Sequence, residues 1–87
     1  MYCVELTRAA RKQLRQLERR DKQLVAEVID SLEQDPFIGK KLQGDLSNYW
    51  SARAWPYRVI YTINKKIVTV TVVEIGHRKD VYRRARR

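Results

Sequence analysis

His77, Arg78 and Tyr82 place an imidazole, a guanidinium and a phenol within six residues, in a segment that also carries Lys79, Arg83 and Arg84. Two more guanidiniums, Arg53 and Arg58, flank the dipeptide Trp55-Pro56. These residue types suit one kind of chemistry, the handling of a phosphodiester without a metal. Cutting an RNA backbone requires the ribose 2′-OH to lose a proton, the charge building on phosphate to be offset, and the departing 5′-oxygen to regain a proton. Histidine suits either proton transfer, because its unperturbed pKa of about 6.5 lies near working pH. Guanidiniums are rigid forked donors that meet phosphate oxygens in pairs. A phenol joins in only where nearby cations favour its ionised form, as a nest of arginines would. No Gly-rich loop offers a phosphate cradle, no His/Cys/Asp/Glu cluster offers metal ligands, and no Ser/His/Asp triad forms around a single histidine. Plainer roles exist beside these. His77 is also a surface residue after a strand, and Tyr82 could pack on a sheet. Trp50 is read as core, whereas Trp55, at a turn, stays available for stacking.

The elements that must position these groups follow from periodicity. Residues 2–6 read as a short strand, and Thr7 is placed to N-cap a helix over 8–19, whose apolar stripe is Ala10, Leu14 and Leu17. A polar break follows, where Asp21 can cap a second helix. Its apolar face is Leu24, Val25, Val28, Ile29 and Leu32. Asp35-Pro36 ends that helix, since proline disfavours a helical residue before it. The two helices should form an antiparallel hairpin facing a common partner. That partner is a mainly antiparallel sheet, with strands over 49–54, 57–63 and 66–75 rich in Tyr, Val, Ile and Thr. The expected fold is α+β: an N-terminal strand, the helix hairpin on one sheet face, and a short basic C-terminal segment.

Asn64-Lys65 suits a two-residue hairpin turn. That turn would pair Ile63 with Lys66, Tyr61 with Val68, Val59 with Val70 and Tyr57 with Val72, all on one apolar face. Trp50, Ala52 and Ala54 join that face. Arg58, Ile60, Thr62, Ile67, Thr69 and Thr71 take the other, with Ser51 and Arg53. The same logic sets Arg53 opposite Arg58. Like charges directly across a sheet are destabilising, so the pair needs an anionic ligand, or else splays into water or meets Glu74 or Asp80. Gly76 is expected to turn the chain sharply at the strand end. Arg86 and Arg87 read as a solvated tail.

Charge and composition set the wider bounds. At 87 residues the chain is one domain, spanning 1–87. Residues 1–35 hold seven bases and seven acids, whereas residues 36–87 hold twelve bases and three acids, so the whole net charge of +9 lies there. A field of one sign on one part of a small domain attracts polyanions, and released counterions supply affinity. No apolar run approaches the ~18–20 residues of a membrane span, and no signal-peptide stretch opens the sequence. A single cysteine, Cys3, is expected to be a small buried hydrophobe in a reducing, cytoplasmic setting.

Lys41-Leu42-Gln43-Gly44, Tyr49-Trp50-Ser51-Ala52-Arg53, Tyr57-Arg58-Val59-Ile60-Tyr61 and Gly76-His77-Arg78-Lys79-Asp80-Val81-Tyr82-Arg83 stand in that order along the chain. Together they carry a resemblance to the RelE/ParE superfamily of bacterial and archaeal toxins. It covers essentially the whole chain and implies the RelE-like, microbial-ribonuclease-like fold and a toxin neutralised by a cognate antitoxin. The RelE branch cuts mRNA in the ribosomal A site without a metal or other cofactor; the ParE branch poisons DNA gyrase. By resemblance Arg58 holds the scissile phosphate, Arg78 offsets charge or protonates the leaving group, and Tyr82 orients or deprotonates the nucleophile. Arg53 falls in the strand that carries two basic residues in RelE-like enzymes. Ser51 stands at the other basic position and leaves the general base open. His77 lies where many relatives have a basic residue. Lys40, Lys41, Lys79, Arg83 and Arg84 are the expected RNA contacts. The basic constellation favours the RelE branch, with a gyrase inhibitor or a non-catalytic RNA- or antitoxin-binding module as alternatives.

Overall fold

A computed structural model describes residues 1–85; Arg86 and Arg87, expected to form a tail, lie outside the described residues. Strand β1 (Cys3–Leu6) leads into helices α1 (Arg8–Gln16) and α2 (Arg19–Gln34). A 3₁₀ turn at Pro36–Ile38 and a short strand β2 (Lys40–Lys41) follow, then a second 3₁₀ turn at Gly44–Leu46. Strands β3 (Trp50–Ala54), β4 (Tyr57–Asn64) and β5 (Thr69–His77) form a meander, and α3 (Val81–Ala85) closes the described chain. The sheet runs β1-β5-β4-β3-β2. Only β1 against β5 is parallel; the helix hairpin carries the chain from β1 across the sheet to β2 at the far edge, and the meander returns it to β5 beside β1.

Local chemistry explains most of these boundaries. Thr7 Oγ1 accepts from the Ala10 amide at 3.1 Å and opens α1 as expected. Helix α1 stops at Gln16 rather than 19, with Leu17 already extended. Helix α2 starts at Arg19 without a side-chain cap. Asp21 therefore sits in its first turn, where its carboxylate accepts from the Tyr57 hydroxyl at 3.2 Å. The Asp21 carboxylate and, more strongly, partial burial raise the Tyr57 phenol above its usual range. Asp35 ends α2 and its Oδ1 accepts from the Phe37 amide, so one residue stops a helix and starts a turn.

The helices cover one face. Val25, Ile29, Leu32 and Ala10 are buried with Ala52, Ala54, Val59, Tyr61, Val70, Val72 and Ile75, while Val28, Leu14 and Leu17 pack at the margin. Leu24, expected in that stripe, is exposed beside Trp55. Cys3 is exposed too: Val4 and Leu6 turn toward the core, so strand alternation sends Cys3 outward.

The β4–β5 hairpin departs most from the sequence reading. Asn64 pairs with Thr69, leaving a four-residue loop, 65–68, instead of a two-residue turn. Asn64 Oδ1 accepts from the amides of Lys66 and Ile67, and Val68 takes φ 50°. The observed pairs are Ile63 with Val70 and Tyr61 with Val72, a slip of four residues. An even slip preserves the faces, so the apolar side survives. A bulge between Ile60 and Tyr61 then inserts one residue on β5 and reverses its alternation. Beyond it Ile75 and His77 share the helix side with Val59 and Tyr57, and Glu74 and Gly76 share the other side with Ile60 and Arg58. Above β1 the β5 edge is met by α1: Gln13 Oε1 accepts from the Ile75 amide at 2.8 Å, and Gln13 Nε2 donates to Glu74 at 2.7 Å.

The second sheet face is not bare. Helix α3 and the Gly44–Leu46 turn bury Leu46, Ile60, Val81 and Ala85, with Leu42, Tyr49, Val73 and Tyr82 around them. Gly76 does not turn the chain. It lies within β5, and its missing side chain leaves room for the Arg84 guanidinium.

Two substitutions test this core. Tyr61 is fully buried, and its hydroxyl donates to the Pro36 carbonyl at 2.7 Å. Desolvation pushes its phenol up to about 12. The native state therefore holds that proton more tightly than the unfolded chain, and the resulting stability is present below pH 10 and lost as pH climbs toward 12. Tyr61→Phe should lower stability by about 1–2 kcal/mol at pH 7, and urea midpoints for the two proteins should converge across that alkaline window. At Gly39 a Cβ would stand 2.8 Å from the Ser51 carbonyl oxygen and against the Tyr61 hydroxyl. Gly39→Ala should cost about 1–3 kcal/mol by the same measurement.

Candidate functional site

Arg53 and Arg58 are directly paired across β3 and β4. Their neighbours Ala52, Ala54 and Val59 enter the main core, so both guanidiniums project from the opposite face. Neither has a carboxylate or hydrogen-bond partner among the described residues. The acids that could have neutralised them are otherwise engaged. Asp80 pairs with Arg83 at 3.0 Å, and Glu74 lies 3.4 Å from Arg84 Nε.

The two arginines line a groove of about 390 Å³ along the edge of β3. That groove exists because β2 is only two residues long. Lys40 pairs with Ser51 and Lys41 with Trp50, after which the β3 edge runs on past β2. Ala52 and Ser51 floor the opening, Lys40 and Gly39 form one side, and Val28 and Ser31 of α2 form another. Three cationic side chains thus surround a cleft large enough for a nucleotide-sized anion, with no acid in its lining.

Tyr82 is brought to the same place. Val81 and Ala85 anchor α3 on Ile60, and the Tyr82 hydroxyl comes within 3.1 Å of Ser51 Oγ, a hydroxyl that is 3 % exposed. This contact ties the C-terminal segment to the strand that bears Arg53. Arg78 sits just past β5. Its amide donates to the Pro56 carbonyl at 3.1 Å, and its guanidinium lies 4.6 Å from the centre of the Trp55 ring.

The structure therefore brings together Arg53, Arg58, Lys40 and Tyr82, with Arg78 at the adjoining hairpin tip. It does not bring His77. Reversed by the bulge, His77 lies on the helix side, its ring edge-on to Tyr57 at 6.2 Å and its Nδ1 accepting from the Lys79 amide at 3.3 Å. Lys41 follows Trp50 to the helix side, where it borders Phe37 and Lys65. Arg84, expected to touch RNA, folds back instead: its Nη2 donates to the Ile75 carbonyl at 3.3 Å beside Glu74, securing α3 to β5. Lys79 and Arg83 are exposed at the rim. Two features went unread in the sequence, the Ser51–Tyr82 contact and the Trp55–Arg78 stack. Both join positions more than twenty residues apart, which no local pattern encodes. Among the described residues, no group of three or more His, Cys, Asp or Glu could hold a metal ion, and no helix is long and apolar enough to cross a membrane.

Comparison with known proteins places this arrangement. Residues 4–82 match the family model described as the ParE toxin of the type II toxin–antitoxin system parDE. The chain is 36% identical over 85 residues to Toxin RelG of Mycobacterium tuberculosis, covering 95% of this chain and 98% of that protein. Its fold matches a chain in the crystal structure of the RelBE2 toxin–antitoxin complex of M. tuberculosis, with TM-score 0.82 and 34% identity over 88% of this chain and 98% of that one. The archaeal RelE–RelB complex from Pyrococcus horikoshii gives TM-score 0.76 at 27% identity, covering 88% and 94%. The α+β sheet with its helix hairpin, the basic cleft and these relatives agree: the chain is a RelE-like toxin of the RelE/ParE superfamily, belonging to type II toxin–antitoxin systems.

Proposed function

We propose that the toxin is a metal-independent endoribonuclease that cuts mRNA on the ribosome and so halts translation in the cytoplasm, held in check by a cognate antitoxin. The observation that supports this reading is the Arg53/Arg58 pair, held across two strands without a carboxylate and lining a groove whose Ser51 contacts the Tyr82 hydroxyl. Two like charges directly opposed on a sheet cost about 0.2–1 kcal/mol. A bound phosphate reverses the sign of that term, because each guanidinium then gains charge-assisted hydrogen bonds.

In this mechanism the ribose 2′-hydroxyl gives its proton to solvent as its oxygen attacks the adjacent phosphorus, the P–O5′ bond breaks, and the departing oxygen takes a proton from solvent, leaving a 2′,3′-cyclic phosphate and a free 5′-hydroxyl. Arg58 and Arg53 hold the non-bridging oxygens and offset the charge that grows on them. Arg78 approaches from the hairpin tip to share that charge. The Tyr82 hydroxyl, set by Ser51, orients the nucleophile, and Lys40 adds attraction for a neighbouring phosphate. His77 takes no part, because it lies on the other side of the sheet. The rival reading is inhibition of DNA gyrase, favoured by the ParE description of the matching family model.

Arg58→Ala should lose roughly 10²–10³-fold in cleavage of ribosome-bound mRNA, read from mapped 5′ ends. The same variant should melt no lower than the wild type, and a few tenths of a kcal/mol higher, since a repulsive pair is relieved. Unchanged cutting would remove Arg58 from the mechanism. Inhibition of supercoiling by the purified toxin, with mRNA intact, would favour the rival. Tyr82→Phe should also slow cleavage, by about 10–10²-fold, and His77→Ala should leave the rate within about twofold. Toxin treated with EDTA and then freed of the chelator should cut message on magnesium-replete ribosomes at the same rate as untreated toxin.

A further inference from the structure

Trp55 is the largest aromatic side chain at the tip of the β3–β4 hairpin, and it is 52 % exposed. Burial therefore does not account for it. Its ring face is met by Arg78, whose guanidinium carbon lies over it, 4.6 Å from the ring centre. The backbone on both sides of this stack is fixed, since the Arg78 amide donates to the carbonyl of Pro56, the residue after Trp55. The acid nearest Arg78 in sequence, Asp80, is taken by Arg83. The indole is thus the group that decides where this guanidinium points.

Stacking and phosphate binding use different parts of the same ion. The ring attracts the guanidinium through its face, whereas the N–H donors lie in the plane and project from its rim. A stacked arginine keeps its forked donors free for a phosphate while losing the freedom of a long, exposed side chain. The hairpin that offers the indole also carries Arg53 two residues before it and Arg58 three residues after it. One rigid turn therefore references all three guanidiniums to one frame.

We propose that Trp55 is a positioning residue, which holds Arg78 flat against the hairpin tip so that its in-plane donors meet the phosphate gripped by Arg53 and Arg58. This rests on the endoribonuclease reading and adds the residue that aims its third cation. Trp55→Phe keeps an aromatic face; Trp55→Leu keeps apolar bulk without one; Arg78→Lys keeps charge without a plane. Single-turnover cleavage of ribosome-stalled mRNA by the full-length toxin should show Trp55→Phe within about threefold of wild type. Trp55→Leu and Arg78→Lys should each fall about ten- to a hundredfold in maximal rate, with half-saturating toxin concentration little changed. Adding Trp55→Leu to Arg78→Ala should cost nothing further, because the tryptophan acts through the arginine. Wild-type rates in Trp55→Leu, or in Arg78→Lys should the leucine variant not fold, would overturn the proposal. A second loss on the Arg78→Ala background would overturn it as well, assigning Trp55 a contact of its own with RNA. The function reading fails separately: the wild-type toxin would then leave ribosome-stalled mRNA intact, while the tryptophan emission of Arg78→Ala would still differ from wild type because the contact with the ring is lost.

Discussion

Two guanidiniums facing each other across adjacent strands repel, and a sheet free to choose its register would slide them apart. This one is not free. Ala52 and Ala54 on β3, and Val59 and Tyr61 on β4, lie on the opposite face and are buried under α2, so a single-residue slip would turn one strand's pair out of the main core. Full burial of a side chain such as Val59 is worth about 1.5–3 kcal/mol, against at most about 1 kcal/mol for the charge repulsion. The core wins, and the Arg53/Arg58 pair is held as a stored electrostatic imbalance. The proposed phosphate site is in this sense a by-product of packing on the far side of the sheet.

The same dependence runs through the other parts of the site. The bulge opposite Ile60 and Tyr61 is needed because α1 and α3 claim opposite sides of β5 at one level. With the extra residue, Ile75 enters the main core and Glu74 turns to the side where Arg84 meets it, while Gln13 takes over the edge amide of Ile75. Arg84 then crosses Gly76, and α3 seats Val81 and Ala85 on Ile60. Only after that sequence of contacts does the Tyr82 hydroxyl reach Ser51. The tyrosine's position is set by a backbone irregularity at Val73, nine residues earlier in the chain.

What could be read from the sequence follows the same logic. Face assignments on β3 and β4 were legible because they depend on parity alone, and the true register differs from the expected one by an even slip. Loop length was not legible. The Asn64 carboxamide caps two successive amides, and Val68 adopts a left-handed backbone that its type disfavours, so a strand-like stretch became loop. His77 was expected beyond a turn at Gly76, after a strand ending at 75; β5 instead runs on to His77, and a bulge invisible in the sequence sets that side chain on the helix side. The short strand β2 carried no apolar signal, since Lys40 and Lys41 are both exposed, yet its brevity is what opens the groove. Arg84 looked like one more surface cation in a basic run, and nothing local distinguishes a base that will find Glu74 from one that will not.

That last distinction changes how the charge excess should be understood. Twelve bases lie in residues 36–87, but they do not act alike. Arg84 holds the fold together against Glu74, Arg83 is offset by Asp80, and Lys41 and Lys65 flank Phe37 on the helix side. These contribute to the long-range field, which falls away over about 8–10 Å in physiological salt and serves approach to a polyanion. Chemistry at one phosphate instead needs cations that are both unneutralised and geometrically fixed. Arg53 and Arg58 satisfy both conditions through the register, and Arg78 satisfies them through its stack on Trp55. The site is therefore selected from a broadly basic surface by rigidity and by the absence of a competing carboxylate, rather than by local charge density.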